Sequence, residues 1–157
     1  IFLKNLLGDE YFKKLRANDI LSSGGNGATM ARVQSRERPI AILLMENVLQ
    51  AHEKGNKEVN FVIPAEGGIP IPSPLAVLSG SSNMPEAKKV FEWFLGDKAQ
   101  EILVKGWVYS SRPAQPTPNG APEWSTLKML PWSLEQMTEW GQKRQETKDF
   151  FQKTVLN

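Results

Sequence analysis

The stretch at residues 59–103, VNFVIPAEGGIPIPSPLAVLSGSSNMPEAKKVFEWFLGDKAQEIL, holds the patterns that decide the predicted fold. Large apolar side chains at every second position from 59 to 63 predict a strand that ends at Pro64. Prolines at 70, 72 and 74 then impose an extended path, since they remove donors and fix the backbone. The sequence LAVLSG at 75–80 predicts a second short strand.

Two amphipathic helices complete this stretch. Asn83 can cap the first one, with a glutamate three residues later as in a capping box, and Gly96 ends it. The sequence DKAQEILVKG at 97–106 predicts the second helix, with Asp97 as its cap and a glycine as its stop. The apolar face of the first helix consists of Ala87, Val90, Phe91, Phe94 and Leu95.

Toward the N-terminus the sequence again predicts both helices and strands. Apolar residues at three- and four-residue spacing over 2–15 predict one bent helix or two short ones. A glycine-rich stretch leads into a helix at about 28–36, and a helix at 46–54 stops at Gly55. Two further strands are predicted at 19–22 and 40–45, the latter apolar on both faces.

Toward the C-terminus, four prolines in and beside AQPTPNGAPEW at 114–124 predict irregular structure. Ser133 with Gln136 forms a capping-box signature that starts a final helix. No internal repeat appears. The alternation of strands and helices over the whole chain predicts an α/β sandwich rather than a helical bundle.

Composition excludes several functions. The chain has 157 residues, a net charge of +2, no cysteine and a single histidine, His52. Disulfides, thiolate metal sites and histidine-rich zinc sites are therefore excluded. The scattered basic residues argue against a nucleic-acid surface. No G-x-S-x-G elbow is present and the one histidine has no evident partner, so the sequence predicts that the protein is not an enzyme.

The glycine-rich stretch SSGGNGATMA at 22–31 is a candidate binding loop. Backbone N–H groups at a helix start lack intrahelical partners and carry the positive end of the helix dipole, so an oxyanion is the natural guest. A plain capped turn is the alternative interpretation. The candidate ligand-binding residues here are Ser22, Ser23, Gly24, Gly25, Asn26 and Gly27.

The order of SSGGNGATMARV, RERPIAILLMEN, the 59–103 stretch and GWVYSSRP resembles the later half of the extracellular solute-binding proteins of ABC importers, in the branch that includes ferric-iron binders. The resemblance covers about residues 1–115. It implies a bacterial transport protein of the periplasm, or a cell-surface lipoprotein, that delivers a small molecule to an ABC permease and has no cofactor.

The implied fold is a two-lobe, type II periplasmic binding protein in which each lobe is a three-layer α/β sandwich. The resemblance implies that 1–157 is the C-terminal part of such a protein. Residues 1–58 and 97–157 would belong mainly to the second lobe, and 59–96 would cross toward the first. We expect most of the first lobe, with any signal sequence or lipid anchor, to lie upstream.

The resemblance also implies cleft residues. Glu46 and Asn47 follow a predicted strand at the end where α/β sheets bind ligands, although Glu46 can equally well just start the next helix. Iron-binding members present paired tyrosines here, and this sequence has MEN instead, which leaves Glu46 as the candidate metal ligand. Arg112 is a candidate partner for an anionic group, or else a surface ion-pairing residue.

The sequence therefore predicts capture of an anionic small molecule, with iron(III) as the second choice. A protein-interaction α/β domain without a small ligand is the alternative function. The apolar helix face with Phe91, Phe94 and Leu95 is predicted to drive homodimer formation where its usual packing partner is missing.

Overall fold

In this computed structural model, which describes residues 1–22, 24–131 and 133–156, the chain is mainly helical, with 52% of its residues in helices. A 3₁₀ turn lies at Trp124–Thr126 and a π-helical turn at Gln152–Leu156. The α-helices of the described residues are α1 (Phe2–Ala17), α2 (Gly25–Gln34), α3 (Met45–Glu53), α4 (Met84–Leu95), α5 (Asp97–Lys105), α6 (Leu134–Gln142) and α7 (Arg144–Phe151).

The predicted three-layer α/β sandwich of a two-lobe type II fold is wrong for this structure, because the described residues form no sheet. They show one isolated parallel bridge, between Gly68 and Met129. The physical reason is that a strand satisfies its N–H and C=O groups only against a neighbouring strand, which these segments lack. The segments that were predicted as strands and contain none are 19–22, 40–45, 59–64 and 75–80.

The helix predictions are largely confirmed, because their signals are local. Helix α1 contains the predicted bend, at Gly8, whose φ is 69°. Helix α3 ends next to Gly55 (φ 87°), and Gly96 separates α4 from α5. Ser133 and Gln136 form the predicted capping box at the start of α6, with both reciprocal hydrogen bonds present.

The chain consists of two compact units, Ile1–Gly25 with Pro131–Asn157, and Asn26–Leu130. In the first unit, buried Phe12 meets the rings of Phe150 and Phe151 edge-on, at 5.4 and 6.3 Å between centroids. The ammonium of Lys4 lies 3.7 Å from the centre of the Phe150 ring, a cation–π contact. These aromatic contacts hold α1 against the C-terminal helices.

The core of the second unit lies between α2, α3 and the extended segment that follows α3. Met30, Val48, Ala51 and Val59 are buried there. The half-buried ring of His52 lies 2.7 Å from the carbonyl oxygen of Val59. Because a carbonyl oxygen only accepts, the Nε2 atom of His52 donates, and the histidine ties α3 to the extended segment rather than serving a ligand.

The proline-rich segment packs onto α3 as an irregular wrap. Pro118 and Leu49 are both fully buried, and a Cβ added to Gly120 would lie 3.3 Å from the Cδ2 atom of Leu49. The Tyr109 hydroxyl donates to the carbonyl oxygen of Pro122 at 2.5 Å. Burial, and secondly the negative charge of Glu123, raise the pKa of the Tyr109 phenol.

The EGG turn of the 59–103 stretch is held by a distant part of the second unit. The Gly68 N–H donates to the carbonyl oxygen of Lys128 at 2.9 Å, and the Leu130 N–H donates to that of Gly68 at 2.8 Å. The Lys128 ammonium donates to the carbonyl oxygen of Ala65 at 2.7 Å. Gly67 has a φ of 129°, a conformation that favours glycine. The backbone of the turn therefore explains why position 67 is a glycine.

Candidate functional site

The glycine-rich stretch forms the start of α2. The helix begins at Gly25, three residues before the predicted start at Ala28, so that Gly25, Asn26 and Gly27 form its first turn. The N–H groups of a first turn have no partner within the helix and lie at the positive end of its dipole. Asn26 and Gly27 are exposed at this position, as an anion would require.

The glycines of this stretch differ in their backbone conformation. Gly24 (φ 83°) and Gly25 (φ 66°) have left-handed conformations, so a turn alone explains why they are glycines. Gly27 lies outside the left-handed region, and a Cβ there would have no neighbour within 4 Å. Local structure therefore gives no reason for glycine at position 27, whereas close approach of a ligand to the backbone would.

The boundary between the two compact units falls inside this stretch. Ser22, Gly24 and Gly25 are exposed and belong to the first unit, while Asn26 and Gly27 belong to the second. Ser23 lies outside the described residues. Within the second unit, the candidate residues of this stretch are therefore Asn26 and Gly27.

Glu46 and Asn47 lie in the first turn of α3, and both are half-buried. No side chain caps this helix at Leu44, and the Asn47 N–H donates to the Leu44 carbonyl oxygen at 3.1 Å. The Oδ1 atom of Asn47 is buried and has no hydrogen-bond partner among the described residues. Glu46 is an acid at the positive end of a helix dipole, which stabilises α3 with or without a ligand.

The candidate metal site at Glu46 gains no further ligands from the structure. Within residues 1–22, 24–131 and 133–156, no group of three or more His, Cys, Asp or Glu side chains is placed to hold a metal ion. Hard cations such as iron(III) need several oxygen ligands. Glu46 alone would leave such an ion incompletely coordinated by this chain.

Arg112 is already paired in this structure. Its Nη1 atom donates to the Oδ1 atom of Asp97, the first residue of α5, at 2.5 Å, and both side chains are largely exposed. Its N–H donates to the hydroxyl oxygen of Ser110 at 2.9 Å. The guanidinium keeps further N–H donors for a second acceptor, because one pairing does not use its whole fork.

A buried glutamine that the sequence prediction missed positions this loop. Gln100 in α5 is 4% exposed, and its Oε1 atom accepts from the Ser110 hydroxyl at 2.6 Å and from the Ser111 N–H at 3.1 Å. Its Nε2 atom donates to the carbonyl oxygen of Phe94 at 2.8 Å. One side chain thus joins the end of α4 to the segment that carries Arg112.

A signal for Gln100 does exist in the sequence. It lies on the same helical face as Ala99 and Val104, which are both buried, so it is a polar residue at an apolar position of α5. Buried amides are almost always hydrogen-bonded, and such a position predicts a structural network. The structure therefore places the candidate residues of the second unit at the starts of α2 and α3 and beside the start of α5.

Two further observations bear on function. Among the described residues, no helix is both long enough and apolar enough to span a bilayer. Residues 8–134 match the family model of the bacterial extracellular solute-binding protein, which covers well over half of the chain. No curated protein and no solved structure matches the chain.

The chain therefore belongs to the bacterial extracellular solute-binding protein family. Its role is to bind a solute outside the cytoplasm for transport, and it is not an enzyme, as the sequence predicted. A small molecule is accordingly its ligand class.

Proposed function

We propose that this protein captures a small anionic solute, such as a phosphate, phosphonate or carboxylate, and delivers it to the permease of an ABC importer. Family membership supports solute capture, and the first turn of α2 supports an anion as the solute. The observation that carries the choice is Gly27, an exposed glycine with no structural need to be one, at the positive end of a helix. We further propose that the protein works in the periplasm or as a lipoprotein at the cell surface.

In this proposal the other candidate residues have different roles in binding the solute. Arg112 supplies guanidinium donors to the anion and exchanges part of its pairing with Asp97, which is inexpensive because that pair is largely exposed. Asn47 contributes from α3 through its amide nitrogen, the atom of that side chain that can donate to an anion, since its Oδ1 atom only accepts. Iron(III), held in part by Glu46, is the competing solute, and a protein-interaction domain without a small ligand is the competing function.

Calorimetry with a panel of solutes tests the proposal. The whole protein is titrated with inorganic phosphate, methylphosphonate, citrate and ferric citrate, first as the wild type and then as Gly27→Asp. The added carboxylate stabilises α2 by about 0.5–1 kcal/mol, because it favours the dipole and replaces a glycine. The same carboxylate repels an anion, so we expect its affinity to fall by about tenfold or more.

A matched glycine controls for effects on the helix alone. Gly141 in α6 is also helical with nothing within 4 Å of an added Cβ. Gly141→Ala, like Gly27→Asp, replaces a helical glycine and should raise helix stability, but it should leave anion affinity unchanged. Anion binding that is indifferent to Gly27→Asp would refute this site. Binding of ferric citrate but not citrate would favour iron, and no binding by any solute would favour the protein-interaction alternative.

A further inference from the structure

A half-open surface pocket of about 330 Å³, here called the cavity, lies in the second unit where α2 ends. Its wall combines Gln34 and Arg36, from the end of α2 and the turn after it, with Glu58 and Asn60 of the extended segment. Helix α2 has 10 residues, so at about 1.5 Å per residue the cavity is about 15 Å from the glycine turn. Its volume falls within the range of small-ligand pockets, about 300–1,000 Å³.

Two opposite charges stand together at this cavity. The Nη2 atom of Arg36 lies 3.2 Å from the Oε2 atom of Glu58, and both side chains are mostly exposed. An exposed ion pair contributes little to stability, so its two charges can be shared with a guest at small cost. A guest that carries both charges gains from both residues, whereas a purely anionic or cationic guest is repelled by one of them.

The backbone holds Arg36 in place for such a guest. Its φ is 61°, a left-handed conformation that is uncommon outside glycine, and its N–H donates to the carbonyl oxygen of Val33 at 3.1 Å. The turn therefore sets the direction in which the Arg36 side chain leaves the backbone, on the side where Glu58 lies.

We propose that this cavity binds a zwitterionic α-amino acid with a small apolar side chain. From bond lengths, the ammonium nitrogen and the carboxylate oxygens of an α-amino acid are about 3 Å apart. This separation matches the 3.2 Å between the Arg36 and Glu58 atoms, so the carboxylate can face the guanidinium while the ammonium faces Glu58. The carboxylate and the ammonium of the amino acid then alternate with the charges of Arg36 and Glu58 in a ring of four.

The rest of the lining fits the same guest. The Oδ1 atom of Asn60 accepts from the Phe61 N–H at 2.9 Å, so the amide nitrogen of Asn60 is the group that can donate to a carboxylate. Val33, Pro39 and Val59 supply apolar surface for the side chain of the amino acid. A branched aliphatic side chain of the size of valine suits this surface.

Titration of the whole protein with three related probes tests the charge requirement. L-valine carries both charges, isobutyrate carries only the carboxylate, and isobutylamine carries only the ammonium. We expect L-valine to bind with a Kd on the order of 1 mM, and each single-charge probe to bind about tenfold more weakly. Absence of L-valine binding, or equal binding of isobutyrate, would overturn the proposal.

Variants assign the binding to the two charges. Arg36→Gly removes the guanidinium at a φ that glycine accepts, and Glu58→Gln keeps the shape of the carboxylate. Each should weaken L-valine binding by about tenfold. As a matched control, Lys143→Gln breaks another exposed ion pair, that with Glu139, and should change nothing. A Kd that stays the same in both cavity variants would contradict the assignment.

One further variant separates this site from the anion site. Gly27→Asp lies at the opposite end of α2, so it should leave L-valine binding unchanged while it weakens anion binding. Loss of L-valine binding in Gly27→Asp alone would show that the amino acid binds at the glycine turn, and would overturn the cavity assignment. The two proposals therefore fail independently.

Discussion

At the scale of one residue, Gly67 shows how backbone that is distant in sequence can exclude every side chain from a position. A Cβ on Gly67 would lie 3.1 Å from the Lys128 carbonyl oxygen and 3.3 Å from the Leu130 nitrogen, both of them backbone atoms. Its φ of 129° is in addition a conformation that side chains strain. The EGG motif contributed to the resemblance on which the family prediction rested, and the structure gives this glycine a structural explanation.

Gly67→Ala should therefore destabilise the protein by about 1–3 kcal/mol, because the new methyl group meets backbone that cannot easily move. Urea unfolding followed by circular dichroism measures this loss. Gly80 is the matched control, since it lies in a turn of the same unit, outside the left-handed region, with nothing within 4 Å of an added Cβ. Gly80→Ala should change stability by no more than about 0.5 kcal/mol, and equal losses in the two variants would contradict the explanation.

The same comparison divides the glycines of the candidate site into those with a structural requirement for glycine and one without it. Gly24 and Gly25 need their positive φ, and only Gly27 is free of such a requirement. Sequence alone could not make this distinction, because all three read as one glycine-rich stretch. The φ values and the space around each Cβ depend on where the helix actually begins.

At the scale of elements, the network of Gln100 joins α4, α5 and the loop of Arg112. Four groups bond to its side chain: the Phe94 carbonyl oxygen, the Ser110 hydroxyl, and the N–H and hydroxyl of Ser111. Removal of the amide would leave partly buried polar groups without these partners, which costs more than the hydrogen bonds themselves contribute.

Gln100→Met should therefore cost about 2–4 kcal/mol of stability while the volume of the side chain is kept. Hydrogen exchange should also be faster in Gln100→Met than in the wild type, and the increase should be larger for the Ser111 N–H than for amides in α1. Gln50→Met is the control, since Gln50 is an exposed glutamine within α3. A Gln100→Met protein as stable as the Gln50→Met protein would mean that the network is not important for stability.

At the scale of the whole molecule, the extended segments leave large apolar side chains in solvent. Ile40 is 86% exposed, Val62 is 88% exposed and Leu78 is 79% exposed. In α4, Phe91 and Phe94 are half-buried while Leu95 remains exposed, so that helix face is only partly covered. Exposed apolar surface on unpaired extended backbone is the usual substrate for pairing between chains.

We therefore expect this chain to self-associate at high concentration, mainly through its extended segments. Light scattering across a concentration series measures the average mass, and Val62→Lys should shift the series toward monomer without loss of helical circular dichroism. Leu134→Lys, which changes a similarly exposed leucine in α6, should leave the association unchanged. A clean monomer at every concentration would contradict this expectation.

What the sequence by itself determined are the features that depend on near neighbours: α1 with its bend at Gly8, α3 before Gly55, the break at Gly96 and the capping box at Ser133. The order of its motifs also predicted the solute-binding family that the chain belongs to. Helix caps, glycine stops and apolar periodicity act within a few residues, so the local sequence contains all of the information they need.

Only the tertiary structure decided whether the apolar segments become strands, which glycines are constrained, and how Gln100 and Arg112 are held. A strand exists only when another segment lies beside it, and the segments at 40–44 and 59–64 have no such neighbour among the described residues. The Arg36–Glu58 pair likewise joins residues 22 positions apart, which no local pattern reveals. Pairings of this kind depend on chain closure over a distance, and that is the information a local sequence pattern lacks.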